Sequence, residues 1–314
     1  MISPDEQGHK PPLVIICGPT ASGKTGLAVE LARHFPLEVV SADSRQVYRG
    51  MDIGTAKPTA QEQQLVKHHL IDVVNPDQEF SVADFVSRGR DAVEGIHAQG
   101  KLPLLVGGTG LYIQALCEGL SSAPGNSPAL RRELQAREEQ EGDGTLHALL
   151  EQHDPEMAAR LAPADLVRII RALEVFLQSG RTLSSWQQEH AFADRPYRQL
   201  SVALRPSRET LYARIEQRAV QMMDEGLVEE TRTLLRQGYA PELKAMRTLG
   251  YRECQLFLAG ELSYEETLAL IQQQTRRYAK RQLTWFRHHG EINWFESLAD
   301  FDKIAKLIDD FFMK

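Results

Sequence analysis

Gly18-Pro19-Thr20-Ala21-Ser22-Gly23-Lys24-Thr25 has the G-x-x-x-x-G-K-[ST] spacing of a loop that wraps a polyphosphate. The residue types fit that task. Glycines let the backbone turn its N–H groups inward around an oxyanion, and a helix starting at the end of the loop aims its positive pole there. Lys24 adds a point charge, and the Thr25 hydroxyl can ligate a Mg²⁺ that bridges phosphate oxygens. A second candidate, Asp43, follows the largely apolar run Leu37–Ser41. Its carboxylate can accept a proton from a group held beside the loop, or cap the next helix, and the residue types leave both uses open.

These residues need a scaffold that brings them together. Leu13–Cys17 and Leu37–Ser41 read as buried strands with a helix over Lys24–Phe35 between them. Lys101–Val106 reads as a third strand, entering Gly107-Gly108-Thr109-Gly110 and a helix from Leu111. Further helices are expected at Ala60–Val66 and Val82–Gln99. Alternating strands and helices predict an α/β fold: a P-loop NTPase-like parallel sheet flanked by helices, with right-handed crossovers. Ligands of such sheets collect at the carboxyl ends of the strands, so the loops after the three strands should converge. A nucleotide hydrolase of this class usually ends a strand in an acid that holds Mg²⁺. Leu102–Val106 ends in glycines instead, and Ile71-Asp72 is the substitute on offer, which weakens the hydrolase or kinase reading.

Composition bounds the rest. The chain has 314 residues, 42% of them hydrophobic, enough for a sizeable core. Its three cysteines, Cys17, Cys117 and Cys254, are scattered, so no disulfide framework or cysteine zinc site is implied and a reducing cytoplasm fits best. Residues 1–12 read as a flexible tail, and no run approaches the roughly 20 apolar residues of a membrane span. Ser121–Pro128 is linker-like, and the helical patterns after it suggest an insertion over 119–198, leaving 13–118 and 199–314 as the core. Leu200–Leu204 returns as a strand, followed by helices over Ser207–Glu225, Leu227–Gln237, Tyr251–Ala259 and Ser263–Arg287. The net charge of −7 excludes a wholly basic coat, yet Thr275–His289 carries Arg276, Arg277, Lys280, Arg281 and Arg287 with no acid. Pairs four apart share a helical face, which suits one anionic partner or a solvated surface.

Longer blocks carry a resemblance. Ser41-Ala42-Asp43-Ser44-Arg45-Gln46-Val47-Tyr48 runs into Met51-Asp52-Ile53-Gly54-Thr55-Ala56-Lys57-Pro58. With the phosphate loop, Gly107–Tyr112, Arg171–Val175, Arg214–Arg218, Leu249–Arg252 and Thr275–Trp285, these blocks resemble the tRNA dimethylallyltransferase (tRNA isopentenyltransferase) family from Leu13 to about Trp294. No C-terminal zinc-finger pattern is present, so the bacterial form is implied.

The resemblance implies transfer of a dimethylallyl group from its diphosphate to N6 of the adenosine 3′ of a tRNA anticodon. It assigns Gly18, Pro19 and Thr20–Thr25, with His68, to the diphosphate substrate and Mg²⁺ to Thr25. Catalysis falls to Asp43 as base, with Lys24 and Arg218 on the leaving diphosphate; by residue type alone Arg218 could equally be a surface i,i+4 partner. The implied tRNA contacts are Asp43, Ser44, Arg45 and Gln46, then Thr109 and Arg131. They continue through Val167, Arg168, Ile169, Ile170 and Arg171, although Val167 cannot donate a hydrogen bond where relatives carry a polar residue. The last set is Arg247, Thr248, Leu249, Gly250, Tyr251 and Arg252, with Arg276, Arg277, Lys280 and Arg281 completing a positive channel. A monomer working in the cytoplasm on the anticodon stem-loop is implied, with no membrane partner. The rival readings are a P-loop kinase or hydrolase, a prenyltransferase acting on free AMP, and an RNA-binding module with a vestigial loop.

Overall fold

The computed structural model describes residues 10–190 and 194–313. Residues up to Cys117 and from Pro196 onward form one compact unit, and Glu118–Arg195 forms a second.

The first unit is built on six parallel strands. In chain order, β1 is Pro12–Cys17, β2 Leu37–Ala42, β3 His68–His69, β4 Leu102–Gly107, β5 Arg198–Leu204 and β6 Asn293–Phe295. They lie in the order β3-β2-β4-β1-β5-β6. The class is therefore the α/β parallel sheet that the sequence predicts. β1 is central, with Ile15 level with Leu105 of β4 and Ser201 of β5. Both faces of the strand are buried, which is why it is apolar at every position rather than alternating. Leu13, Ile15 and Cys17 enter one core with Val40, Leu105 and Ala203, while Val14 and Ile16 enter the other with Val39, Leu104 and Val202. Each buried aliphatic side chain contributes about 1.5–3 kcal/mol.

Helices cover both faces. The first five are α1 (Lys24–Ala32), α2 (Ala60–Leu65), α3 (Val82–Ala98), α4 (Gly110–Glu118) and α5 (Pro128–Glu141). Next come α6 (Thr145–His153), α7 (Pro155–Ala158), α8 (Leu166–Ser179) and α9 (Leu183–His190). The last are α10 (Arg208–Asp224), α11 (Leu227–Arg236), α12 (Tyr251–Leu258), α13 (Tyr264–Arg287) and α14 (Phe301–Phe312). Capping boxes start α2 (Thr59/Glu62), α3 (Ser81/Asp84) and α13 (Ser263/Glu266), each satisfying N–H groups that a bare helix end would leave unpaired. Among the described residues, no helix is long and apolar enough to cross a membrane.

Several expectations need correction. Residues 1–9 of the expected tail lie outside the described residues, but Pro11 and Pro12 are held in the sheet. The Pro11 carbonyl accepts from Arg198 N–H at 3.0 Å, and Pro12 opens β1, a first strand position that proline tolerates. Ile71-Asp72 forms no strand. Asp72 sits at φ 56° and pairs with Lys57 at 2.5 Å, so it is not an acid at the end of a sheet strand. β3, β6, α9 and α14 carry no expectation above. β3 and β6 are two and three residues long, too short for a period-2 pattern. α14 had a legible signal: Ile304 and Ile308, four apart, enter the core that α1 covers.

Among its described residues the second unit forms helices and no strand. Its core joins Leu134 of α5, Leu146 and Leu150 of α6, Met157 of α7 and Ile169, Ile170 and Leu173 of α8.

Glu38, near the start of β2, is a buried carboxylate with three cationic or hydrogen-bonding neighbours. Lys101 Nζ donates to it at 2.6 Å and His69 Nε2 at 2.7 Å, with Lys67 Nζ at 3.4 Å. Burial alone would raise its pKa. The bonds from Lys101 and His69 and the charge of Lys67 outweigh that, holding it down to about 2. A carboxylate depressed in the folded state stabilises fully above its unfolded pKa, and that contribution disappears as pH falls through the folded value. Glu38→Gln should therefore flatten the loss of stability between about pH 4.5 and pH 2 in denaturant titrations at each pH. An acid limb identical to that of the native chain would remove Glu38 from that account.

Candidate active site

The loop after β1 has the backbone its sequence demands. Gly18 sits at φ 134° and Gly23 at φ 102°, with Ala21 at 61° between them. A Cβ on Gly18 would lie 2.8 Å from the Leu204 carbonyl oxygen, so only glycine fits there. Lys24 folds back over the loop, its Nζ donating to the carbonyls of Gly18 at 3.1 Å and Pro19 at 2.7 Å. Burial lowers the Lys24 amine to about 8; nearby Asp43 opposes this and Arg218 adds to it. Ser22 Oγ is buried with no hydrogen-bond partner among the described residues, which leaves it a polar group to offer an anion in the loop.

A cavity of about 560 Å³ opens beside this loop. Thr20–Thr25 form one wall, and Asp43–Gln46 lie on it at the end of β2. Asp43 uses one oxygen to hold its own loop: Oδ1 accepts from the N–H groups of Arg45 at 2.8 Å and Gln46 at 3.4 Å. The capping reading and the site reading of Asp43 are thus compatible, since both backbone bonds fall on a single oxygen. Gln46 locks the following turn, accepting from Ser41 Oγ at 3.0 Å and donating to the carbonyls of Thr55 and Ala56 at 3.3 and 3.1 Å. Arg218 also lines the cavity, which excludes the surface-partner alternative. Burial lowers its pKa, Glu62 counteracts this, and Arg214 adds to it. His68 lines the cavity with its Nδ1 bonded at 2.8 Å to the Val66 carbonyl; since a carbonyl only accepts, Nδ1 carries the proton. Burial depresses its pKa, leaving Nε2 as an acceptor on a neutral ring.

The glycines after β4 are required by close approach. A Cβ on Gly107 would collide with the Ala42 carbonyl, one on Gly108 with the Gln282 amide, and one on Gly110 with the Trp285 ring. Gln282, on α13, joins two of the loops. Its Oε1 accepts from Thr20 N–H at 2.8 Å and its Nε2 donates to the Gly108 carbonyl at 2.9 Å. Sequence reasoning assigned Gln282 no chemistry; its only signal was a buried-face position between Tyr278 and Trp285. Glu230 was also missed. It accepts from the N–H groups of Asp52 and Ile53, both at 3.0 Å, and from the Tyr251 hydroxyl at 2.5 Å, tying the Met51–Gly54 turn to α11 and α12.

Not every expected residue reaches the cavity. Thr109 lies behind the wall, its Oγ1 accepting from Ser44 N–H at 3.1 Å. Arg247, Thr248, Leu249, Gly250 and Arg252 line it, with Thr248 Oγ1 buried and without a partner among the described residues, but Tyr251 is buried against Glu230. The basic helix splits into faces. Arg281 lines the cavity with Tyr278, Arg277 is exposed, Arg276 pairs with Glu216 at 2.9 Å, and Lys280 lines a different cavity. In the second unit, Ile169 and Ile170 are core residues, so their side chains pack inside that unit and offer RNA no surface. Arg131 and Arg171 clamp buried Glu174, at 3.0 and 2.8 Å, leaving Val167 and Arg168 exposed. Burial would raise the Glu174 carboxyl, but those two arginines hold it below its ordinary value.

The profile of the family described as IPP transferase matches residues 46–289. The chain belongs to the IPP transferase family. It is 53% identical over 307 residues to "tRNA dimethylallyltransferase 1" of Syntrophotalea carbinolica, covering 98% of both chains. It is 52% identical to the tRNA dimethylallyltransferase of Geobacter metallireducens, covering 98% of this chain and 99% of that one. Among solved structures, it resembles the tRNA isopentenylpyrophosphate transferase of Bacillus halodurans with a TM-score of 0.71 and 41% identity, covering 97% and 96% of the two chains. A eukaryotic dimethylallyltransferase acting on tRNA superposes with a TM-score of 0.78 at 26% identity, over 95% of this IPP transferase and 77% of that chain.

Gln282→Ala should leave the Gly108 carbonyl unpaired and loosen Thr20. The expected cost is about 1–3 kcal/mol in denaturant unfolding and roughly tenfold weaker inorganic diphosphate by calorimetry, equivalent to about 1.4 kcal/mol. Unchanged values in both would show that the loop holds its shape without the bridge.

Proposed function

We propose that this chain transfers a dimethylallyl group from dimethylallyl diphosphate to N6 of the adenosine immediately 3′ of a tRNA anticodon, releasing diphosphate. The observation that carries the reading is the cavity that holds Lys24, Arg218 and Asp43 together, two cations and one carboxylate beside a phosphate loop. The loop and the two cations take the diphosphate. As the allylic C–O bond breaks, its electron pair leaves with the diphosphate oxygen, and Lys24 and Arg218 offset the growing charge. The N6 lone pair attacks the carbon that has become cationic. The amine loses its proton to the Asp43 carboxylate, whose backbone bonds through Oδ1 fix its orientation. An exocyclic amine turns acidic only once it has begun to bond, and the carboxylate takes its proton at that stage.

Magnesium fits this site. Among the described residues, no three metal-binding side chains gather into a protein cage. Mg²⁺ needs only one or two hard protein oxygens when phosphates and water supply the rest, and the Thr25 hydroxyl on the cavity wall would provide one. Bound there, the ion neutralises diphosphate charge. His68 lines the same cavity, and its Nε2 can accept a hydrogen bond from water around the diphosphate. Ser44–Gln46, Arg247–Gly250, Arg252 and Arg281 take the flipped-out nucleotide and its neighbours, and exposed Arg168 offers a phosphate contact from the helical unit. One copy of the chain carries every residue assigned here, consistent with a monomer acting on cytoplasmic tRNA.

The test offers labelled dimethylallyl diphosphate and Mg²⁺ to the enzyme with an anticodon stem-loop or with free AMP. Label should enter the stem-loop alone, and Asp43→Ala should slow single-turnover transfer by roughly 10²–10⁴-fold with diphosphate affinity retained. Label in AMP would redirect the function to free nucleotides, and an active Asp43→Ala would end its assignment as base. Lys24 adds a pH signature. A bound anion favours the charged amine, so the bound pKa exceeds the free value of about 8. Affinity for dimethylallyl diphosphate should hold below pH 8 and weaken above it; a flat profile to pH 10 would show that Lys24 charge is not used.

A further inference from the structure

Among the described residues, four non-glycine residues take a left-handed backbone: Ala21, Ala56, Leu70 and Asp72. Ala21 belongs to the phosphate loop. The other three flank one side chain, Lys57. Ala56 precedes it, and Asp72, two residues after Leu70, is bonded to it. A residue with a Cβ keeps such a backbone only where its surroundings over-determine it. Lys57 supplies part of that constraint. Its side chain is only 4% exposed, and its Nζ donates to the Tyr48 carbonyl at 2.7 Å, Asp52 Oδ1 at 2.6 Å and Asp72 Oδ1 at 2.5 Å. An ammonium has three protons, so all are used and none is left for a ligand. Ala56 and Pro58, on either side of Lys57, both line the active-site cavity.

We propose that Lys57 is a positioning residue for Asp43: by clamping Tyr48, Asp52 and Asp72 together, it fixes the turn from which Gln46 orients the Asp43 carboxylate. The proposal rests on Asp43 acting as base, as read above. Two routes lead from the clamp to Gln46. The Thr55 and Ala56 carbonyls, just before Lys57, accept from Gln46 Nε2 at 3.3 and 3.1 Å. Asp72, which holds Lys57 by its carboxylate, donates its N–H to the Gln46 carbonyl at 3.1 Å, and Val73 N–H donates to the Val47 carbonyl at 2.8 Å. Gln46 and Arg45 in turn give Asp43 Oδ1 its two backbone bonds. Without the ammonium, two carboxylates that share one nitrogen would face each other as like charges. Asp72 would also lose a bond that keeps it left-handed. The turn would relax, and Asp43 would no longer be held toward the acceptor. The phosphate loop is held by different bonds, from Lys24 and Gln282, so it should keep its shape.

The experiment measures single-turnover dimethylallyl transfer to the anticodon stem-loop by four full-length chains: native, Lys57→Met, Asp43→Ala and the double variant. Lys57→Met, which keeps an unbranched stem without the charge, should slow transfer roughly 10²-fold, the scale of a misplaced catalytic group. Affinity for inorganic diphosphate should stay within about twofold of native, since Lys57 acts on placement rather than on binding. In the Asp43→Ala background the same substitution should cost less than about threefold, because coupled residues are not additive and no carboxylate remains to orient. Equal slowing in both backgrounds would make Lys57 merely structural and overturn the proposal, as would an undiminished rate in Lys57→Met. If Lys57→Met does not fold, Asp72→Gly takes its place: glycine accepts the left-handed backbone and removes only the carboxylate. It should slow transfer in the native background alone, and Asp72→Asn, which keeps an acceptor for Lys57, should restore the rate; an Asp72→Gly chain as fast as native overturns the proposal. Failure of the underlying reading looks different. No transfer by the native chain, or an Asp43→Ala chain as fast as native, would remove the base that the clamp serves and end both.

Discussion

Closeness of backbone at the carboxyl ends of β1, β2 and β4 is the constraint on which the site depends. Gly18 lies against the Leu204 carbonyl and Gly107 against that of Ala42, with Gly108 under the Gln282 amide. A side chain at Gly18 or Gly107 would force neighbouring backbone apart, and one at Gly108 would displace the Gln282 amide. The sheet is buried on both faces and close-packed, so such a displacement would spread through two cores. Because the glycines keep the ends together, the phosphate loop, the Asp43 turn and Gly107-Gly108 share one cavity rather than three separate clefts. Gln282 then fixes their separation from behind with two hydrogen bonds of 2.8 and 2.9 Å.

Electrostatics in that cavity run against its own stability. Lys24 and Arg218 are cations removed from water, and burial is the largest influence on both, disfavouring their charge. Asp43 and Glu62 offset only part of this. Lys24 spends its amine on two loop carbonyls, a substitute for the oxyanion the loop is shaped to hold. A diphosphate answers both deficits at once, supplying negative charge and acceptors to a preorganised surface. The second unit treats charge differently: Glu174, fully buried, is enclosed by Arg131 and Arg171, which spends two cations on holding helices together.

Local patterns made much of this readable in the sequence. The strand–loop–helix at Leu13–Ala32 needs no distant partner to declare itself, and the α/β class follows from alternation alone. What stayed hidden depends on separations the sequence does not display. Gln282 acts on Thr20 from 262 residues away. Glu230 reaches the Met51–Gly54 turn across 178. In both cases an ordinary polar residue on a helix gains meaning only when the chain returns. Ile169 and Ile170 sit within a block that resembles an RNA-contacting segment, yet their residue type decides: they fill the core of the helical unit while Arg168 remains outside. The basic stripe divides in the same way. Spacing four apart placed Arg276 beside Lys280, but an acid from another helix, Glu216, neutralised the first and left the second free.

The rod-like α13 carries a further consequence for how this chain can change over generations. Its 24 residues present Gln282 to the phosphate loop, Arg281 and Tyr278 to the active-site cavity, and Lys280 and Arg287 to a different one. Each residue advances a helix by about 1.5 Å and 100°. Loss or gain of one residue near its middle would therefore swing both faces out of alignment together, whereas exchange of one cation for another would disturb a single face. Substitutions are open to this helix and length changes are not, so its spacing is the slower clock of the two.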